Sequence, residues 1–205
     1  MIPLLHLEND PEHAKTIRYI VSELVRNVLE HARSKHGAFL AAQFYKGSNT
    51  IRIGIADCGV GIRQTIMNAH SADTDLDAIR LALMPGITGT TSKEGGTEQN
   101  AGAGLFFIKS IATRNRNFFV IYSGNAMYKL LKREPGDIKL FVDPFEDRHS
   151  KDGELPYWQG TVVGIDITLD ATEEFTLLLD KIKDIYGEAI KERRRLRKNR
   201  VPTFI

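Results

Sequence analysis

Between Pro11 and about His36, the residues Ile17, Ile20, Val21, Leu24, Val25, Val28 and Leu29 recur at three- and four-residue intervals. That spacing predicts an amphipathic helix, with Asp10 placed to cap it and Pro11 at its first position. The pattern then switches. "AFLAAQFYK" (38–46) and "TIRIGIAD" (50–57) flank "GSN" and read as strand, tight turn and strand. "DLDAIRLALM" (75–84) returns to helical spacing and stops at Pro85-Gly86. Residues 86–102 are rich in Gly, Thr and polar groups and read as a long loop. A further helix follows at "AGLFFIKSIATR" (103–114), then a hairpin of "NFFVIYSG" (117–124) and "AMYKLLK" (126–132). Residues 132–158 are irregular apart from one expected strand at "IKLFVD" (138–143). "GTVVGIDITL" (160–169) is a strand, and residues 172–190 form an amphipathic helix carried by Phe175, Leu178, Leu179, Ile182, Ile185, Tyr186 and Ala189. Strands grouped in hairpins between helices predict an α+β sandwich with a mixed or largely antiparallel sheet, not a doubly wound fold.

Composition narrows the picture. The 205 residues are 42% hydrophobic and 26% charged, enough for one domain with a core and a short appendage. No apolar run approaches a membrane span, and no secretory leader pattern is visible. One cysteine, Cys58, excludes an internal disulfide and a cysteine-based zinc site, so a cytoplasmic setting is expected. Charge is uneven. "KERRRLRKNR" (191–200) carries +6 of a chain total of +2, leaving the rest at −4. A mildly acidic body does not favour nucleic acid, and the basic run is expected to be a solvated helix end complementing the helix dipole. Its removal is expected to leave ligand binding unchanged.

Three elements carry candidate chemistry. In "SELVRNVLEHA" (22–32), Glu23, Asn27 and His31 stand four residues apart and form one ridge beside the apolar stripe. A carboxylate there can polarise a nucleophile and an amide oxygen can ligate a hard cation such as Mg²⁺. A structural polar edge fits the same spacing. In "IGIADCGVGI" (53–62), a strand delivers Asp57 to its end just before Gly59 and Gly61. The carboxylate can accept a hydrogen bond from an exocyclic amine such as adenine's, and the glycines allow a tight turn beside a flat ligand. In "NAGAGLFFIKSI" (100–111), Gly102 and Gly104 precede a helix start, where free N–H groups attract an anion. The GxxxxGK[ST] phosphate loop is absent from the chain.

In order and spacing these elements resemble the boxes of the GHKL ATPase superfamily, which includes gyrase, heat-shock chaperones, histidine kinases and mismatch-repair ATPases. The resemblance covers residues 11–169. ExxxNxxxH corresponds to Glu23, Asn27 and His31, DxGxG to Asp57, Gly59 and Gly61, and GxGL to Gly102, Gly104 and Leu105. It implies a two-layer sandwich of Bergerat type with the helices on one face of the sheet. It also implies ATP and Mg²⁺ as ligands, Glu23 as general base, Asn27 as metal ligand, Asp57 as adenine anchor and residues 86–101 as an ATP lid. Thr161 would help hold Asp57 through water, His31 would contact phosphate or the first box, and Lys93 is a candidate γ-phosphate partner. The glycine that usually follows GxGL is Phe106 here, and residues 131–158 read as an insertion.

Glu23 separates the branches of that family. Sensor histidine kinases typically have Asn at this position, whereas hydrolysing members and anti-sigma-type kinases have Glu. The expected organisation is an ATP-binding domain over 1–170 followed by a C-terminal helix and basic tail over 171–205. The leading expectation is an ATPase whose lid is a nucleotide-gated switch working with a protein partner or larger assembly. An anti-sigma-like serine kinase and a non-catalytic nucleotide-binding module are the alternatives.

Overall fold

The computed structural model describes residues 11–91, 102–132, 139–169 and 175–198. Helix α1 (Pro11–Asn27) leads through a π turn (Val28–Ala32) to strands β1 (Ala38–Tyr45) and β2 (Thr50–Asp57). Two short helices, α2 (Gly61–Ile66) and α3 (Asp75–Ala82), precede α4 (Gly104–Arg114). The chain then forms β3 (Phe119–Gly124), β4 (Ala126–Leu130), β5 (His149–Asp152), β6 (Trp158–Thr168) and α5 (Phe175–Lys198). One six-stranded sheet runs β1-β2-β6-β3-β4-β5, antiparallel at every pairing, so the fold is the expected α+β sandwich.

Strand periodicity decides what the helices cover. In β2, Ile51, Ile53 and Ile55 are buried, and they pair with Ile167, Ile165 and Val163 of β6. Phe119 and Ile121 of β3 continue the same rows against Ile165 and Val163. This face packs against Ile17, Ile20 and Leu24 of α1, Ile108 and Ile111 of α4, and Leu178 and Ile182 of α5. Because side chains alternate along a strand, Asp57 falls on the covered face with Ile55. The opposite face carries polar pairs such as Arg52, whose Nε donates to Asp166 Oδ1 at 2.7 Å.

Several boundaries differ from expectation. The first helix ends at Ala32 rather than near His36, because its last turn widens to π geometry and Arg33 takes a left-handed conformation (φ 51°). Asp10, its expected cap, lies outside the described residues. Helix α2 is too short to announce itself by period. A Thr74–Asp77 capping box starts α3: Thr74 Oγ1 accepts from the Asp77 N–H at 3.0 Å, and the Asp77 carboxylate accepts from the Thr74 N–H. The strand expected at 138–143 is corrected. Its described part, 139–143, is irregular, and the strand lies later, at His149–Asp152, pairing with β4.

That irregular stretch is tied inward by polar groups rather than by ladder bonds. Lys109 of α4 is fully buried and donates to Asp147 Oδ2 at 2.5 Å and to the Phe141 carbonyl at 3.1 Å. The Arg80 guanidinium binds the Asp143 carboxylate, and the Tyr128 hydroxyl donates to the Pro144 carbonyl at 2.9 Å. Phe106 is fully buried, with Phe107 and Tyr186 at ring-centroid distances of 6.0 and 6.5 Å. A phenylalanine after GxGL thus docks α4 against the C-terminal helix.

Candidate functional site

The three sequence elements converge on one cavity of about 300 Å³. Glu23, Asn27, His31, Asp57, Gly61, Gly102, Gly104, Leu105 and Thr161 all line it. Gly59 does not line it but donates its N–H to Asp57, which does. Ile55, Ile62, Ile66 and Val163 supply an apolar floor suited to a flat ring.

Asp57 sits on that floor at the end of β2, 3% exposed. Its Oδ1 accepts from the Gly59 N–H at 2.8 Å. Burial pushes the Asp57 carboxyl above its ordinary range, and the backbone N–H groups of Gly59 and Thr161 oppose that shift. Residues that sequence reasoning missed hold this corner together. A Cβ on Gly160 would lie 2.1 Å from the Asp57 carbonyl oxygen, so only glycine lets β6 pass there, at φ 106°. Ser123 accepts from the Ile62 N–H at 3.0 Å and donates to the Gly160 carbonyl at 2.7 Å. No motif marks Ser123 or Gly160; the strand register alone brings them to Asp57.

The first and second motifs are joined directly. The Val60 N–H donates to the Ala32 carbonyl at 2.8 Å, so the DxGxG loop caps the end of the N-terminal helical segment. Close approach makes Gly59 necessary, since a Cβ would stand 1.9 Å from the Ala32 oxygen. Gly59→Ala should push the loop off the helix end and cost about 1–3 kcal/mol of stability, as overpacking typically does. Urea unfolding midpoints would measure it, and a cost near zero would contradict the contact.

At the other end of the cavity, Glu23 is 8% exposed and bound by the Arg26 guanidinium. Burial raises its pKa, and Arg26 opposes the rise. Gly104 begins α4 so close that a Cβ would meet Glu23 Oε2 at 2.5 Å. The N-cap, Ala103, contributes no side-chain bond, so the first N–H groups of α4 start uncapped beside the Glu23 end of the cavity. His31 is half-buried, and burial lowers its pKa, which favours the neutral imidazole. The Asn27 amide nitrogen is buried without a hydrogen-bond partner. Rotating the amide by half a turn puts its oxygen in that place. Among the described residues no three His, Cys, Asp or Glu side chains cluster to cage a metal. A lone amide oxygen fits Mg²⁺, which is commonly held by one or two protein groups plus phosphates and water.

The loop after α3 enters the same wall. Ile87, Thr88 and Gly89 line the cavity, and the Gly86 N–H donates to the Gly102 carbonyl at 3.0 Å, closing the neck of the 86–102 segment. Residues 92–101, with Lys93 among them, lie outside the described residues. Arg193 of α5 donates to the Pro85 carbonyl at 2.6 Å, just before that neck.

Against this geometry, the sequence of residues 5–116 matches the model of the histidine kinase-like ATPase domain. The chain belongs to that family. A histidine kinase-like ATPase domain accounts for all three motifs, which lie inside the matched segment, and for the α+β sandwich with its antiparallel sheet. Strands β3 to β6, including Thr161, lie beyond the match. A search of curated proteins returned no match. Among the described residues no helix of this histidine kinase-like domain is long and apolar enough to cross a membrane.

Proposed function

We propose that the protein is a Mg²⁺-dependent ATPase module in which Asp57 reads adenine and Glu23 activates water at the opposite end of the cavity. The observation that carries this reading is the placement of the two buried carboxylates. One has backbone donors and an apolar floor; the other faces an uncapped helix start.

Asp57 would accept from the adenine amine while Gly61 and the isoleucine floor admit the ring. The Gly102–Gly104 turn and the N–H groups of α4 would receive phosphate. Asn27 would hold the metal, and Mg²⁺, when bound, neutralises phosphate charge and fixes the triphosphate. His31, as a neutral imidazole, would donate to phosphate or orient the ridge. Glu23 would take a proton from the attacking water. Residues 86–101 would close over bound nucleotide, pivoting on the Gly86–Gly102 bond, and report its presence to a protein partner.

Asp57→Asn tests the reading. Asn keeps an acceptor for the Gly59 N–H but loses the charge that orders the amine contact. ATP affinity should fall about 10–100-fold, since a broken buried hydrogen bond typically costs about 1–3 kcal/mol. The sign of the stability effect is opposite. A carboxyl whose pKa is raised by folding penalises the fold once pH exceeds its unfolded value; the penalty grows up to the folded value and stays constant above it. The ligand-free variant should therefore melt no lower than wild type at neutral pH. Calorimetric titration and thermal melting check both, and unchanged affinity would remove the adenine assignment. Mixing the protein with labelled ATP and Mg²⁺, then following free phosphate and labelled protein, separates hydrolysis from transfer to a partner's serine.

A further inference from the structure

The charge balance of the cavity is unusual for a site that takes a nucleotide. Glu23, Glu30 and Asp57 line it, whereas the cationic side chain among its described lining residues is Arg26 alone. Burial disfavours the charged form of His31, so it adds little to that one cation. A polyanion entering beside three carboxylates meets repulsion, and the uncapped start of α4 supplies only partial positive charge to offset it.

Arg26 is placed to change that balance. Its guanidinium is about half exposed, so it has room to move, while the Glu23 carboxylate it binds is fixed in the wall. Its Nε also stands 4.0 Å from Glu30 Oε1, so two carboxylates share one cation. The Glu23 oxygen bound by Arg26 is the one nearest Gly104, where α4 begins. A guanidinium suits phosphate in the same bidentate way that it suits carboxylate.

Building on the ATP-binding reading above, we propose that Arg26 is the side chain that binds the terminal phosphates, exchanging its bond to Glu23 for bonds to phosphate. Before nucleotide arrives, the pair keeps Glu23 neutralised. Once the triphosphate takes the guanidinium, Glu23 loses its partner and becomes a free base beside the reacting end. Removing a cation from a buried carboxylate raises its proton affinity, so the exchange also makes Glu23 a stronger base. The same side chain thus binds substrate and keeps the base masked until substrate is present. This role is not implied by the ExxxNxxxH spacing, since position 26 is a free position of that pattern.

The test uses the full chain with ATP, ADP and adenosine, each titrated calorimetrically in the presence of Mg²⁺, against Arg26→Ala, Arg26→Lys and Lys93→Ala. Arg26→Ala should weaken ATP about 10–100-fold, the range for a lost charge-assisted bond, and leave adenosine within twofold. Arg26→Lys should recover part of the loss, because it restores charge without the bidentate fork. The acid limb of kcat/KM should also move to higher pH in Arg26→Ala, because the free enzyme's Glu23 loses the neighbour that lowers its pKa.

Equal loss for ATP and adenosine, or an unmoved acid limb, would overturn the exchange. So would ATP affinity that is unchanged in Arg26→Ala but reduced in Lys93→Ala, which would give the phosphates to the loop instead. Failure of the wild-type chain to bind either ATP or adenosine would overturn the nucleotide reading itself. Binding of both by wild type, with no ATP-specific loss in the Arg26 variants, would overturn this proposal alone. Should Arg26→Ala fail to fold, the Lys variant carries the comparison between ATP and adenosine.

Discussion

Glu23→Ala should bind ATP at least as well as the unmodified chain and turn it over about 10²–10⁴-fold more slowly, the usual contribution of a general base. Binding survives because Glu23 holds no part of the adenine corner. Removing it deletes a carboxylate from the phosphate end and releases Arg26. Glu23→Gln should behave alike in rate while preserving the shape against Gly104, so a deficit shared by both variants isolates the lost base from any local collapse. The unmodified chain should lose turnover on acidification, with a limb above the ordinary glutamate range because burial raises the Glu23 pKa. Steady-state phosphate release across pH measures both effects. Full turnover by either variant would end the base assignment.

Lys109→Ala should cost about 3–5 kcal/mol of stability, the range for breaking a buried ion pair by removing one partner. The loss has two sources: Asp147, at 0% side-chain exposure, loses the ammonium it binds, and the Phe141 carbonyl loses its donor. Lys109→Met with Asp147→Leu removes both charges and should recover most of the deficit, because well-packed apolar replacements of such pairs are often neutral or better. Guanidinium unfolding of the single and double variants reads the difference. An additive double variant would mean that the two side chains do not interact. Because Lys109 and Gly104 share α4, the single variant should also weaken nucleotide binding, through the position of the helix start.

Legibility in the sequence followed the range over which each feature acts. Helices α1, α4 and α5 and strands β1 to β4 and β6 were readable because their apolar residues repeat locally. Asp57 was readable for the same reason: alternation from Ile51 onward fixes the face it reaches. The π turn was not, since the apolar spacing of α1 runs on into it unbroken through Val28 and Leu29, and what marks the turn is the Val60 N–H meeting the Ala32 carbonyl, 28 residues away. The segment 138–143 has the composition of a strand, yet Lys109 and Arg80 hold its carbonyl and carboxylate, and the adjacent β4 edge is taken by His149–Asp152 instead. The site showed a similar division. Motif residues were visible as spacing, whereas Gly160, Ser123 and Arg26 gain their place only from how β6, β3 and α1 come together.

The bond from Arg193 to the Pro85 carbonyl bears on where this chain can be cut. Composition puts a boundary at residue 191, where the basic run begins, and in the described part of that run, 191–196, every residue but Arg193 is exposed. The helix nevertheless continues to Lys198, Ala189 and Ile190 are buried, and Arg193 reaches back to the turn leading into residues 86–102. A product ending at Ile190 would look tidy on a map of charge and would still lack a strut. Recombinant boundaries drawn beyond residue 198 keep the strut. Those drawn at the change in composition lose it, and a weakened nucleotide response in such a fragment would reflect the scissors rather than the site.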